Sequence, residues 1–175
     1  MKQVNPLLVL NGKKLDIRKK KMKFFDNYFT DITKLIPNVD GDELAKISDL
    51  VLASNKAKGK VILAGNGGSA AMASHVAVDF TKAANVRAIN FNEADLITCF
   101  ANDYGYENWL LKAIESYADP EDLLILISSS GNSQNVVRAA QQGIKMGLKV
   151  VTFSGFSPQN LLREVGDINM WVDSS

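Results

Sequence analysis

Short unbroken apolar runs alternate with stripes of apolar residues spaced three and four apart, and this alternation organises the chain from residue 59 onward. The run Leu123-Leu124-Ile125-Leu126-Ile127 has no polar interruption, which predicts a strand buried on both faces of a parallel sheet. Runs of the same kind at 60–64, 86–91, 149–153 and 168–172 predict four more strands. Helical stripes fill the intervals: a small-residue helix from Ser69 to about Thr81, then 93–100, 106–117, 132–146 and a short one at 158–165. Asn102-Asp103-Tyr104-Gly105 and Asp119-Pro120 read as turns. Strand alternating with helix predicts an α/β fold, a doubly wound parallel five-stranded sheet.

Two amphipathic helices precede it. Phe24, Phe25, Tyr28, Phe29, Ile32, Leu35 and Ile36 form one wide stripe over 19–36, ended by Pro37. Asp40 is placed to cap a second helix, whose Leu44, Ile47, Leu50, Val51 and Ser54 share a face until Gly59. The stripe of the first holds more apolar mass than a free helix pair hides, so it is expected to pack on the sheet or on another copy of the chain. Residues 1–17 show no clear period and read as a loosely docked arm. The whole is read as one domain over 1–175, with arm and helices in 1–58 and the sheet core in 59–173.

Composition narrows the function classes. Net charge is +1, which makes no case for a nucleic-acid or membrane surface, and the cluster from Arg18 to Lys23 reads as a solvated helix face. Cys99 is alone, which excludes a disulfide framework and fits a reducing cytoplasm. Leu7 to Leu10 is too short for a signal-peptide core, and no apolar run has the length of a membrane span. The single histidine, His75, excludes a His-rich metal cluster within one chain.

Chemistry concentrates where strands end. Ser128, Ser129, Ser130 and Ser133, grouped around Gly131 and Asn132, join a strand end to a helix start, where free N–H groups and the helix dipole favour an anion. One serine there would be an ordinary cap; four hydroxyls exceed that need and point to phosphate. Gly65-Asn66-Gly67-Gly68-Ser69-Ala70 fits the looser dinucleotide fingerprint G-x-G-x-x-A, with Glu93 past the second strand as the ribose ligand. Against a dinucleotide stand the polar Asn66 and Ser69 inside the loop, and the serine cluster, which that reading leaves unused. Two polar loops at the carboxyl ends of two parallel strands suit a small phosphorylated polyol better. The P-loop pattern G-x-x-x-x-G-K-[ST] is absent.

The glycine loop at 65–69, His75, Asn102-Asp103-Tyr104-Gly105-Tyr106 and the serine loop at 128–133 resemble, in order and spacing, the SIS (sugar isomerase) domain, and within it the phosphoheptose isomerases. The resemblance spans residues 24–172. It implies a flavodoxin-like doubly wound sheet, an N-terminal helix between subunits, and a cytoplasmic homotetramer with active sites at its interfaces. The implied activity is isomerisation of sedoheptulose 7-phosphate to the manno-heptose 7-phosphate through an enediol, in heptose biosynthesis for lipopolysaccharide or capsule. The resemblance places Ser128, Ser129, Ser130 and Ser133 on the phosphate, Asn66, Gly67, Gly68 and Ser69 on the sugar, and Asn102 and Asp103 near the reacting end. His75 and Asp79 are the implied catalytic pair and, in members that bind zinc, metal ligands. The family has Glu where this chain has Asp79, one methylene shorter. The family's Gln and second His lie on a C-terminal helix that a sequence ending at Ser175 does not contain, so the chain is expected to be a fragment or a relative that has lost catalysis. A non-catalytic branch that binds the bacterial replication initiator is the alternative class.

Overall fold

The protein is described here by a computed structural model covering residues 6–174, with side chains from residue 16. It divides into two compact units, Met1–Val39 and Asp40–Ser175. The first holds one long helix, α1 (Pro6–Leu35), followed by a 3-10 turn, Ile36–Asn38. Proline at the first helical position gives up an N–H that has no partner there, and Pro37 stops the helix by the same loss. Residues 6–17, which show no clear period in the sequence, are helical; residues 1–5 lie outside the described ones. Phe24, Phe25, Tyr28 and Phe29 are 47–64% exposed and, among the described residues, their rings stack on one another, with Phe24 and Tyr28 parallel at 6.3 Å.

The second unit begins with α2 (Gly41–Lys56). Asp40 caps it as expected, its Oδ1 accepting the amides of Asp42 and Glu43. The sheet follows as β1 (Val61–Gly65), β2 (Ala88–Asn90), β3 (Leu123–Ser128), β4 (Lys149–Ser154) and β5 (Ile168–Trp171), all parallel in the order β2-β1-β3-β4-β5. That order is the flavodoxin-like one, and its direction reverses between β1 and β3. Helices α3 (Gly68–Lys82), α4 (Ala94–Tyr104), α5 (Trp109–Tyr117) and α6 (Gln134–Lys145) complete the winding.

The expected strands are all present, with differences at their ends. β2 pairs over three residues only, although Val86 and Phe91 at its flanks are buried. The short helix expected at 158–165 is a 3-10 turn, Leu161–Glu164, whose start is capped by Asn160. Asn102, Asp103 and Tyr104 are not in a turn but in the last turn of α4; Gly105, at φ +83°, ends that helix.

Strand alternation sorts the core into two layers. Ile62, Ala64, Leu124, Leu126 and Val150 face Trp109, Leu110, Ile114, Val136 and Ala140 of α5 and α6. α2 and α3 pack on β1 and β3 without joining that cluster, so they cover the opposite face, with Val61, Leu63 and Ile125. At the amino ends of β1 and β3, Asp122 accepts from the Lys60 ammonium, the Lys60 amide and the Asp119 amide. Burial lowers the Lys60 pKa, but hydrogen bonds and charges from Asp119 and Asp122 outweigh it and hold the ammonium above its ordinary value. This buried anchor sets the register of the two central strands and leaves their carboxyl ends free to build the site.

Candidate functional site

The carboxyl ends of β1 and β3 flank the point where strand order reverses, and both polar loops start there. Between them lies a cavity of about 250 Å³ lined by Asn66, Ser69, Ile127, Phe156 and the four serines at 128, 129, 130 and 133. No lining side chain carries a charge. Any anion held there would be held by hydroxyls, amides and the amino end of α6.

The serine loop is shaped from within. Gly131 donates its amide to Ser128 O at 2.9 Å and accepts from Leu162 at 2.9 Å, at φ +64°, in the left-handed region where a side chain is strained. Asn160, 3% exposed, packs directly on its Cα and donates to Ser154 Oγ and Ser157 O. Ser130 Oγ accepts the Asn132 amide, and Asn132 Oδ1 accepts the Leu161 amide. Ser133 occupies the N-cap of α6 yet makes no side-chain capping bond; its hydroxyl meets that of Ser128 at 3.3 Å. The capping explanation thus fails for the very serine that holds the cap position, and the hydroxyl is spent on the cavity wall instead.

The glycine loop is tied to α6 by a reciprocal amide pair. Asn66 Nδ2 donates to Asn135 Oδ1 at 2.9 Å, and Asn135 Nδ2 donates to Asn66 Oδ1 at 2.8 Å. Tyr106 Oη donates to the same Asn66 oxygen at 3.3 Å. Asn66 is thereby oriented from two sides. Ser69, 8% exposed, lines the cavity at the start of α3, whereas Gly67 and Gly68 are exposed outside its lining.

Four other expected residues lie outside that lining. His75 and Asp79 sit one turn apart on α3, Nε2 to Oδ2 at 3.5 Å, with side chains 79% and 60% exposed. Asn102 and Asp103 are exposed at the end of α4 and bonded to each other at 2.9 Å. As zinc donors, His75 and Asp79 make two, short of the three that a catalytic zinc takes from its protein. Among the described residues no group of three His, Cys, Asp or Glu side chains is gathered. The donor set within one chain therefore does not make up a zinc site. Glu93, the ribose ligand of the dinucleotide reading, stands exposed at the N-cap of α4 and makes no side-chain cap there.

Sequence reasoning missed Asn135, Asn160 and Phe156. The partner of Asn135 is 69 residues away, so no local spacing reveals it. Asn160 and Phe156 come from the loop after β4, where no polar cluster draws notice.

The SIS domain family matches residues 25–155. Phosphoheptose isomerase of Fusobacterium nucleatum is 36% identical over 143 residues, 77% of this chain and 74% of its own. That of Cytophaga hutchinsonii is 35% identical over 126 residues, 69% of this chain and 66% of its own. For three such curated relatives the chain spans just under two thirds of the relative's length, 58% to 66%. The solved structure of a phosphoheptose isomerase from Francisella tularensis shares the fold, with TM-score 0.80 at 23% identity over 89% of this chain and 85% of that one. No described helix is long and apolar enough to cross a membrane.

Proposed function

The chain belongs to the SIS domain family, and from that premise we propose that it binds sedoheptulose 7-phosphate and isomerises it to the manno-heptose 7-phosphate through an enediol. The observation that carries the reading is the neutral cavity at the β1/β3 ends, where Ser128, Ser129, Ser130 and Ser133 meet Asn66 and Ser69. Hydroxyls and amides at a helix start suit a phosphate dianion; an oriented amide suits sugar hydroxyls. Gly67 and Gly68 leave the loop backbone open to the sugar beside Asn66. The relatives aligned over most of the chain bear the name of this activity.

The reaction needs one group that takes a proton from carbon and returns it to the neighbouring carbon. We assign that role to Asp79. As the C–H bond breaks its electron pair becomes the C=C bond of the enediol, and the carbonyl π pair moves to its oxygen, which takes a proton from solvent; the neighbouring hydroxyl then gives its proton to solvent, its electron pair forms the new C=O bond, and the C=C pair takes the proton back from Asp79, so that the carbonyl has moved by one carbon. His75, beside Asp79, polarises the substrate oxygens, and Asn102 and Asp103 are assigned to the same reacting end. No step is routed through zinc. Full solvation weakens such a pair, so the reading includes a second copy of the chain covering α3 and contributing to the site. Homotetramerisation in the cytoplasm is the assembly proposed; the exposed Phe24, Phe25 and Phe29 of α1 support it.

Solvent exchange tests the chemistry. Incubated in D2O with sedoheptulose 7-phosphate, the protein is expected to bring deuterium into the substrate at the carbon that loses its proton, as read by NMR. Binding without exchange would shift the chain to the sugar-phosphate-binding class without catalysis. Failure to bind any sugar phosphate would overturn the reading.

A further inference from the structure

The loop after β4 holds a residue that its own backbone disfavours. Phe156 has φ +53°, one of three non-glycine residues at positive φ among those described, with Lys58 and Asn85. Asparagine tolerates this region; a bulky aromatic does so only at a cost. The ring is not compensated by burial, being 48% exposed, and it has no aromatic partner among the described residues. The surrounding structure imposes the conformation. The Gly155 amide donates to Ser129 O at 2.9 Å, the Phe156 amide to Ser174 Oγ at 3.4 Å, and Asn160 grips the far end of the loop through Ser157 O at 2.9 Å. A left-handed residue pinned at both ends is the natural place for glycine. Here it is phenylalanine, and the residue lines the serine cavity, where the one other apolar lining residue is Ile127.

We propose that Phe156 is a specificity-determining residue: its ring is an apolar wall beside the serine loop that packs against the carbon chain next to the phosphate, so that the cavity selects a phosphorylated polyol over inorganic phosphate. The proposal rests on the reading of this cavity as a sugar-phosphate site. Its physical basis is complementarity. The serines and amides satisfy the phosphoryl oxygens but give nothing to the C–H groups beyond the ester oxygen. An aromatic face beside them removes that apolar surface from water. A backbone strained at a site, in a residue left half exposed beside the cavity, is the pattern of a residue kept for contact with a ligand rather than for packing.

Calorimetric titration with inorganic phosphate and with sedoheptulose 7-phosphate, alongside thermal melting without ligand, tests this on the whole protein and on F156G and F156Y. F156G is expected to bind sedoheptulose 7-phosphate about tenfold more weakly, from the loss of half a ring's contact area. Its affinity for inorganic phosphate should stay within about twofold, since the serine hydroxyls and helix start remain. Its melting temperature should be unchanged or higher, because glycine relieves the left-handed backbone. F156Y keeps the ring and should keep the preference. Unchanged sugar-phosphate affinity in F156G would overturn the proposal. A parallel loss of both ligands with a lowered melting temperature would also overturn it, marking Phe156 as structural. If the unsubstituted protein binds inorganic phosphate but no sugar phosphate, the underlying reading of the cavity falls, and this proposal with it.

Discussion

Gly131 stands at the middle of the serine loop, and its replacement by alanine separates two costs that are usually confounded. Its φ of +64° charges any L-residue for the left-handed backbone, about 1–2 kcal/mol. The second cost is steric. A Cβ at Gly131 would lie 2.0 Å from Asn160 Oδ1 and 2.7 Å from Asn160 Cβ, far inside contact distance. Asn160 has no room to yield, being 3% exposed and bonded to Ser154, Ser157 and the Arg163 amide. Overpacking of this kind costs about 1–3 kcal/mol. Gly147 is the internal control: φ +81°, with nothing within 4 Å of an added Cβ. Gly147→Ala should therefore cost only the backbone share, about 1–2 kcal/mol, and Gly131→Ala about 2–5 kcal/mol in total. At about 2–4 °C per kcal/mol for a chain of this size, the two variants should melt several degrees apart. Urea denaturation at constant m gives the free energies; titration with inorganic phosphate should also show Gly131→Ala weakened and Gly147→Ala unchanged. Equal destabilisation of the two would refute the steric argument and the rigid coupling of the serine loop to Asn160.

Other expectations follow from single contacts. Asn135→Ala removes both the acceptor for Asn66 Nδ2 and the donor to Asn66 Oδ1 without adding charge, so sedoheptulose 7-phosphate should bind about tenfold more weakly while inorganic phosphate is held as before. Asp122→Asn leaves the Lys60 ammonium, 10% exposed, without its buried partner and should cost about 3 kcal/mol by denaturation; Asp119→Asn, at a carboxylate 73% exposed, should leave stability nearly unchanged. Burial raises the pKa of the Asp167 carboxyl, but bonds from Lys149 and the Val150 amide outweigh this and hold it below its ordinary value. The stability it contributes is present above the unfolded value of 3.8 and lost as pH falls through the lower folded one, so Asp167→Asn should flatten the acid limb of a stability–pH curve. Asp79→Asn should abolish deuterium exchange into sedoheptulose 7-phosphate with binding retained; undiminished exchange would remove Asp79 from the chemistry.

Periodicity reports which side of an element is buried, and that explains what the sequence discloses and what it hides. The unbroken run at 123–127 is legible because β3 lies between two helical layers, and the 2-1-3-4-5 order then puts both polar loops at one reversal point. Residues 6–17 of α1 are hard to read as a helix because Leu7, Leu8, Val9 and Leu10 form one continuous apolar run and Asn11-Gly12 then breaks the pattern, so no single apolar face stands out. The segment 102–104 reads as a turn because Asn and Asp favour turns; the structure continues α4 through it and ends the helix at Gly105 instead. Ser128, Ser130 and Ser133 announce themselves because hydroxyl clustering is local in sequence. What positions them is not: Asn160 reaches Gly131 from a different loop, and Asn135 meets Asn66 across 69 residues. Phe156 is the extreme case. It follows the expected strand at 149–153 by three residues and carries no polar signal, and only the structure shows its positive φ and its place in the lining of the cavity. Polar chemistry is thus readable where it is contiguous, whereas the residues that aim it are tertiary, and substitution of Asn135, Asn160 or Phe156 perturbs the site without altering any motif that identifies it.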